Sequence, residues 1–148
     1  MNAAKGTDTS DDWFVFVSHS GADTWVARQI ARAIKKSGAK PFLDEAQIEV
    51  GADFEEDILA FLQKAHELVV LLTPWALERP YVLAELGAAW YRKIPIVVLL
   101  LGLSATELQE QARVPVLLKR RNLVPLNDVD HYFKQLRKRV KAHAKDMK

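Results

Sequence analysis

Leu68-Val69-Val70-Leu71-Leu72 is a continuous apolar run, and a run of this length without polar alternation reads as a strand covered on both faces. Pro80 follows where a first helical turn tolerates proline, and the spacing predicts a helix from there to about Arg92. Working outward, Trp13-Phe14-Val15-Phe16-Val17 is a second such strand, ended by the turn Ser18-His19-Ser20-Gly21. From Asp23, read as a cap, Val26, Ala27, Ile30, Ala31 and Ile34 return to one helical face until Ser37-Gly38 stops them. Lys40 to Leu43 is a brief strand, and Asp44 to Ala52 a polar loop in which Gly51 can supply a positive φ. Asp53 and Glu56 resemble a capping box ahead of a helix carrying Phe54, Ile58, Leu62 and Ala65. Ile96 to Leu101 is a fourth strand and Ala105 to Ala112 a short helix. Asn122 to Val124 is a fifth strand, and Asp128 starts a last helix with Tyr132, Phe133, Leu136 and Val140 inward.

Strands alternating with helices at this spacing imply an α/β fold, a parallel sheet between two helical layers. For five strands the expected arrangement is the flavodoxin-like three-layer sandwich of order 2-1-3-4-5, whose crossovers leave a crevice between strands one and three at their carboxyl ends. Residues 13–145 read as one domain preceded by an arm, 1–12. The segments to search for function are therefore Ser18 to Asp23, Asp44 to Phe54, and Thr73 to Glu85.

Composition narrows the chemistry. The 148 residues are 49% apolar, enough for a single core without covalent staples. There are no cysteines, which excludes disulfides, thiolate zinc sites and cysteine nucleophiles, and four scattered histidines without ligand spacing argue against a metal. The longest apolar run, Ile94 to Leu101, is far short of the roughly 20 residues that span a bilayer, and the polar N-terminus lacks a signal core. A cytoplasmic protein without a membrane partner is expected. Lys119 to Lys148 holds ten basic residues against three acidic ones, a bias expected to be a solvated helix face rather than a nucleic-acid site.

Glu85 lies inside the third helix with Tyr81 one turn before it and Ala88 and Arg92 continuing the stripe. Leu83, Leu86 and Trp90 are expected to face the sheet, leaving the Glu85 carboxylate aimed along the crevice. Spacing alone fits an ordinary solubilising glutamate as well. At Ser18, His19 and Ser20 two readings also stand: a diphosphate seat built from backbone N–H groups and a helix N-terminus, or a polar turn that needs no ligand. Asp44 suits a ligand hydroxyl or a structural role. Phe54 suits core packing or a ligand contact, and Trp75 a pocket cover or a protein contact.

Together these segments resemble the TIR (Toll/interleukin-1 receptor) domain. Phe16-Val17-Ser18 is similar to its first box, and Phe42-Leu43-Asp44 with Gly51 is similar to its second strand and BB loop. Leu71 to Leu77 followed by Tyr81-Val82-Leu83-Ala84-Glu85-Leu86 resembles the third strand, the loop and the aromatic-x-x-x-Glu helix of the NAD⁺-consuming members. The resemblance implies Glu85 as the catalytic carboxylate and Tyr81 as the aromatic, usually Trp, four residues earlier. It implies substrate contacts from Ser18, His19, Ser20, Asp44, Phe54 and Trp75, with Phe54 one residue out of register and Val82 replacing a frequent Cys.

The activity so implied is NAD⁺ glycohydrolase or ADP-ribosyl cyclase. NAD⁺ is then the substrate, no separate cofactor or metal is required, and copies self-associate through TIR–TIR contacts. The chain ends near where such a domain ends, and so resembles free-standing bacterial TIR proteins of antiphage defence of the Thoeris kind, whose ADP-ribose-derived product addresses a separate effector. The competing reading is a non-catalytic adaptor module. A phosphoacceptor receiver shares the sheet order but requires acidic residues where Ser18-His19 and Thr73-Pro74 stand, and a nucleoside deoxyribosyltransferase is a remoter alternative.

Overall fold

The computed structural model describes residues 11–43, 60–110 and 123–146. Their strands are β1 (Phe14–Ser18), β2 (Lys40–Leu43), β3 (Glu67–Leu72), β4 (Ile96–Leu100) and β5 (Leu123–Pro125). The helices are α1 (Thr24–Lys36), α2 (Pro80–Tyr91), α3 (Ala105–Glu110) and α4 (Val129–Asp146), and residues 60–64 are helical as well. The sheet is parallel in every pairing, in the order β2-β1-β3-β4-β5. Asp44, Gly51, Asp53, Phe54 and Glu56 lie outside the described residues, so the loop after β2 and the start of the helix that follows have no structural account.

Period-two alternation divides the central strands between two cores. Phe16, Leu68, Val70, Leu72, Val98 and Leu100 pack with Leu62, Val82, Leu86 and Ala89 on one face. Val15, Val17, Val69, Leu71 and Leu99 meet Ala27, Ile30 and Ile34 of α1 and Tyr132 and Leu136 of α4 on the other. β1 and β3 are buried along their whole length, as their uninterrupted apolar runs require. β2 is an edge strand, only half-buried, and there Pro41 costs no internal ladder bond.

Two helices end alike. Ala39 N–H donates to the Ile34 carbonyl and Gly38 N–H to that of Lys35, with Gly38 at φ 95°. Ile94 N–H donates to the Ala89 carbonyl and Lys93 N–H to that of Trp90, but here the left-handed residue is Lys93 at φ 60°. Both are Schellman closures, the first with the residue that adopts this conformation freely and the second with one that does not.

β3 begins one residue earlier than the apolar run indicates, at Glu67, whose side chain is fully buried. Its carboxylate accepts from Trp13 Nε1 at 2.7 Å, Tyr132 Oη at 2.6 Å, and Arg139 Nε and Nη2 at 2.9 and 3.1 Å. This clamp ties the segment entering β1, the start of β3 and α4 together at the amino end of the sheet. Burial, reinforced by the adjacent carboxylate, holds the Tyr132 hydroxyl well above its ordinary pKa, so it remains a donor. The basic terminal helix therefore turns one of its cations, Arg139, inward.

The orientation of α2 differs from expectation. Its buried row is Val82, Glu85, Leu86 and Ala89, whereas Leu83 and Trp90 are exposed. Apart from Glu85 every residue from Pro80 to Tyr91 is apolar, aromatic or glycine, so no polar stripe sets the phase of the helix and packing chooses the row that turns inward. Arg92, exposed just past the end of α2, donates from Nη1 to the carbonyls of Leu62 and Ala65, fastening the end of α2 to the preceding helix.

Candidate functional site at the carboxyl edge of the sheet

Ser18 closes β1 in register with Val70 of β3, which puts it beside the crevice between the two central strands. The chain then turns through a short 3-10 segment, Gly21–Asp23, into α1. Ser20 caps this turn: its Oγ accepts from Ala22 N–H at 3.2 Å and its carbonyl from Asp23 N–H at 2.9 Å. Thr24 Oγ1 donates to the Gly21 carbonyl at 2.9 Å. Two of the amides that a phosphate seat would use are thus engaged within the turn itself.

Asp23 does not cap α1 with its side chain, contrary to the sequence expectation. It is buried, and Oδ2 accepts a 2.6 Å hydrogen bond from Thr73 Oγ1, which in turn accepts from Ala76 N–H at 3.1 Å. The β1–α1 turn is thereby joined to the loop after β3 across the mouth of the crevice. Sequence reasoning missed this pair. The available signal was Thr73 directly after β3 and Asp23 in the turn after β1, both polar and at the switch point where such folds gather their chemistry.

Among the described residues, two buried polar atoms at the end of β1 have no hydrogen-bond partner, Ser18 Oγ and His19 Nε2. An orphaned buried polar group costs about 1–3 kcal/mol, so it calls for a reason. His19 Nδ1 lies 2.9 Å from the Ser20 carbonyl, a contact that requires a proton on Nδ1.

On the opposite wall, Trp75 and Tyr81 are 59% and 51% exposed, Trp75 in the loop after β3 and Tyr81 in the first turn of α2. Glu85 is 3% exposed, packed in the row described above, and is engaged by another group rather than unpaired. The guanidinium of Arg79, the residue before α2, reaches the β1–α1 turn, because a methyl group placed on Gly21 would sit 3.9 Å from its Nη2. Glu85 follows Arg79 by six residues, roughly 9 Å along a helix axis at 1.5 Å per residue. The structure thus gathers Ser18, His19 and Ser20 at one crevice wall, with Trp75 and Tyr81 exposed on the segments of the other. Asp44 and Phe54 fall outside the described residues, and no group of three or more His, Asp or Glu side chains suited to a metal occurs among the described ones.

These features define a doubly wound α/β protein with its polar side chains collected at the topological switch point. Comparison with known proteins narrows the class: the family profile of the TIR domain matches residues 15–140, and the chain belongs to that family. Among solved structures it is similar to the TIR domain of the Toll-related receptor TRR-2 from Hydra magnipapillata. That match has 18% identity and a TM-score of 0.64, covering 90% of this chain and 99% of the other. It is also similar to the TIR domains of the activated Roq1 resistosome that recognises the pathogen effector XopQ, at 16% identity and a TM-score of 0.57, covering 90% and 84%. At these identities the likeness speaks for the fold. No curated protein matches the chain in sequence. No helix among the described residues is long and apolar enough to cross a membrane.

Proposed function

We propose that this TIR domain cleaves the bond between nicotinamide and ribose in NAD⁺, with Glu85 as the essential carboxylate. The observation that carries the reading is a carboxylate buried in an otherwise apolar helix row, on the element that follows the switch-point strand. A carboxylate removed from water has to be paired, and Glu85 is so engaged, which holds the anion in a fixed place on the helix. Departure of nicotinamide, already cationic, leaves oxocarbenium character on the anomeric carbon, and a fixed anion lowers that barrier. The same carboxylate can orient the ribose hydroxyls and the attacking group, as glycosidase carboxylates do.

The unpartnered Ser18 Oγ and His19 Nε2 supply polar contacts for the ribose and its neighbours, and Tyr81 and Trp75 offer aromatic faces. Water as the nucleophile gives ADP-ribose, and an internal nucleophile a cyclic product. We further propose a cytoplasmic, self-associating protein of the free-standing antiphage type, its product read by a separate effector.

The test is direct: incubate concentrated protein with NAD⁺ and resolve the products by chromatography and mass spectrometry, for wild type and for Glu85→Gln. Wild type is expected to release nicotinamide and Glu85→Gln to lose turnover by at least about a hundredfold, the scale for removal of one electrostatic stabiliser. Equal nicotinamide release by both would remove Glu85 from the chemistry. A second reading, a non-catalytic module that docks other TIR domains, is favoured by the apolar surface of α2, where Tyr81, Leu83, Trp90 and Tyr91 are all exposed. It predicts no NAD⁺ loss at any protein concentration.

A further inference from the structure

The amides of the β1–α1 turn are a poor phosphate seat on their own, because Ala22 and Asp23 N–H are already engaged within the turn. If the substrate is a dinucleotide, its diphosphate needs a cation from elsewhere. Arg79 fits that need. It is exposed at the start of α2, has no ion pair among the described residues, and carries Nη2 3.9 Å from where a Cβ on Gly21 would stand. Its guanidinium therefore lies within contact distance of the turn, across the crevice mouth. The orphaned Ser18 Oγ and His19 Nε2, both on residues more than nine-tenths buried, sit at the end of the same strand and are a second, independent sign of a ligand.

Resting on the NAD⁺ reading above, we propose that Arg79 is the diphosphate-binding residue, and that it makes the site select diphosphate-bearing nucleotides over the corresponding nucleosides. The geometry suits it. A guanidinium fork binds two phosphate oxygens at once, as a lysine ammonium does not, and a position on the rim lets it close over a ligand lying between β1 and α2. Asp23 nearby is held by Thr73.

The test compares binding of ADP-ribose and of adenosine by calorimetry for wild type, Arg79→Ala and Arg79→Lys, with NAD⁺ consumption by wild type followed in parallel. Arg79→Ala is expected to raise the Kd for ADP-ribose about tenfold or more, to leave adenosine unchanged and to flatten the salt dependence, with Arg79→Lys intermediate. ADP-ribose binding by Arg79→Ala as tight as by wild type would overturn the assignment while leaving the Glu85 reading to its own assay. Equal weakening of both ligands would also overturn it, because a general disturbance of the crevice has no phosphate selectivity. Wild type that binds no ADP-ribose overturns it too, and in that case the parallel NAD⁺ assay decides whether the catalytic reading falls with it.

Discussion

Replacing Glu67 by leucine should be among the most damaging single changes in the described part of this protein, although it lies at the far end of the sheet from the candidate site. The carboxylate is fully buried and receives four hydrogen bonds from three side chains. Leucine of similar size removes the acceptor and leaves the Trp13 indole N–H, the Tyr132 hydroxyl and the Arg139 guanidinium without it. Arg139 retains 29% exposure and recovers some hydration, whereas Tyr132 is only 2% exposed and recovers little. Breaking a buried pair by removing one partner costs about 3–5 kcal/mol, a large share of a total stability of roughly 5–15 kcal/mol. In a domain of this size each kcal/mol moves Tm by about 2–4 °C, so the melting point should fall by roughly 6–20 °C. Calorimetric and urea unfolding of Glu67→Leu measures it. The double variant Glu67→Leu/Arg139→Met should recover part of the loss, because the stranded charge is gone. A Glu67→Leu penalty under about 1 kcal/mol, or a double variant worse than the sum of the singles, would refute the clamp.

Other outcomes follow from the same geometry. Burial first, then the neighbouring His143 and Arg92, lower the pKa of His66 against the opposing pull of Glu67. Its Nδ1 accepts from Phe14 N–H at 2.9 Å and so must be unprotonated in the fold. The unfolded chain then takes up the proton first. His66 should contribute stability above about pH 6.5 that is lost as pH falls through its lower folded pKa, and His66→Gln should flatten melting curves compared between pH 7.5 and 5. Thr73→Val strands the buried Asp23 carboxylate and should cost about 1–3 kcal/mol in urea unfolding, and an unchanged midpoint would show the bridge to be idle. At the two Schellman closures the signs should be opposite. Lys93→Gly should stabilise by up to about 1 kcal/mol, and Gly38→Ala should destabilise by at least as much, since its Cβ would meet Val140 Cγ1 at 3.2 Å in a left-handed conformation. Thermal melts of the pair check this.

Much of the architecture is legible in the chain itself. Apolar runs such as Leu68 to Leu72 can be satisfied only by a strand covered on both faces, and Ile30 and Ile34 mark the inner face of α1 because Gln29 and Arg32 mark the outer one. Strands alternating with helices then leave few topologies, and the observed order is the expected one. The place of the candidate site follows too, since a doubly wound sheet opens only where its strand order reverses. Only the tertiary structure decided the rest. α2 carries apolar residues around its circumference, so which row packs inward, and with it the burial of Glu85, is set by complementarity to β3 and β4 and not by any periodic signal. The Asp23–Thr73 bridge, the Glu67 clamp and the approach of Arg79 to Gly21 join residues 50 to 72 positions apart or on separate elements. Such partners have no local signature, because a hydrogen bond depends on where two side chains end up in space, and helix phase and sheet register determine that only once the chain has packed.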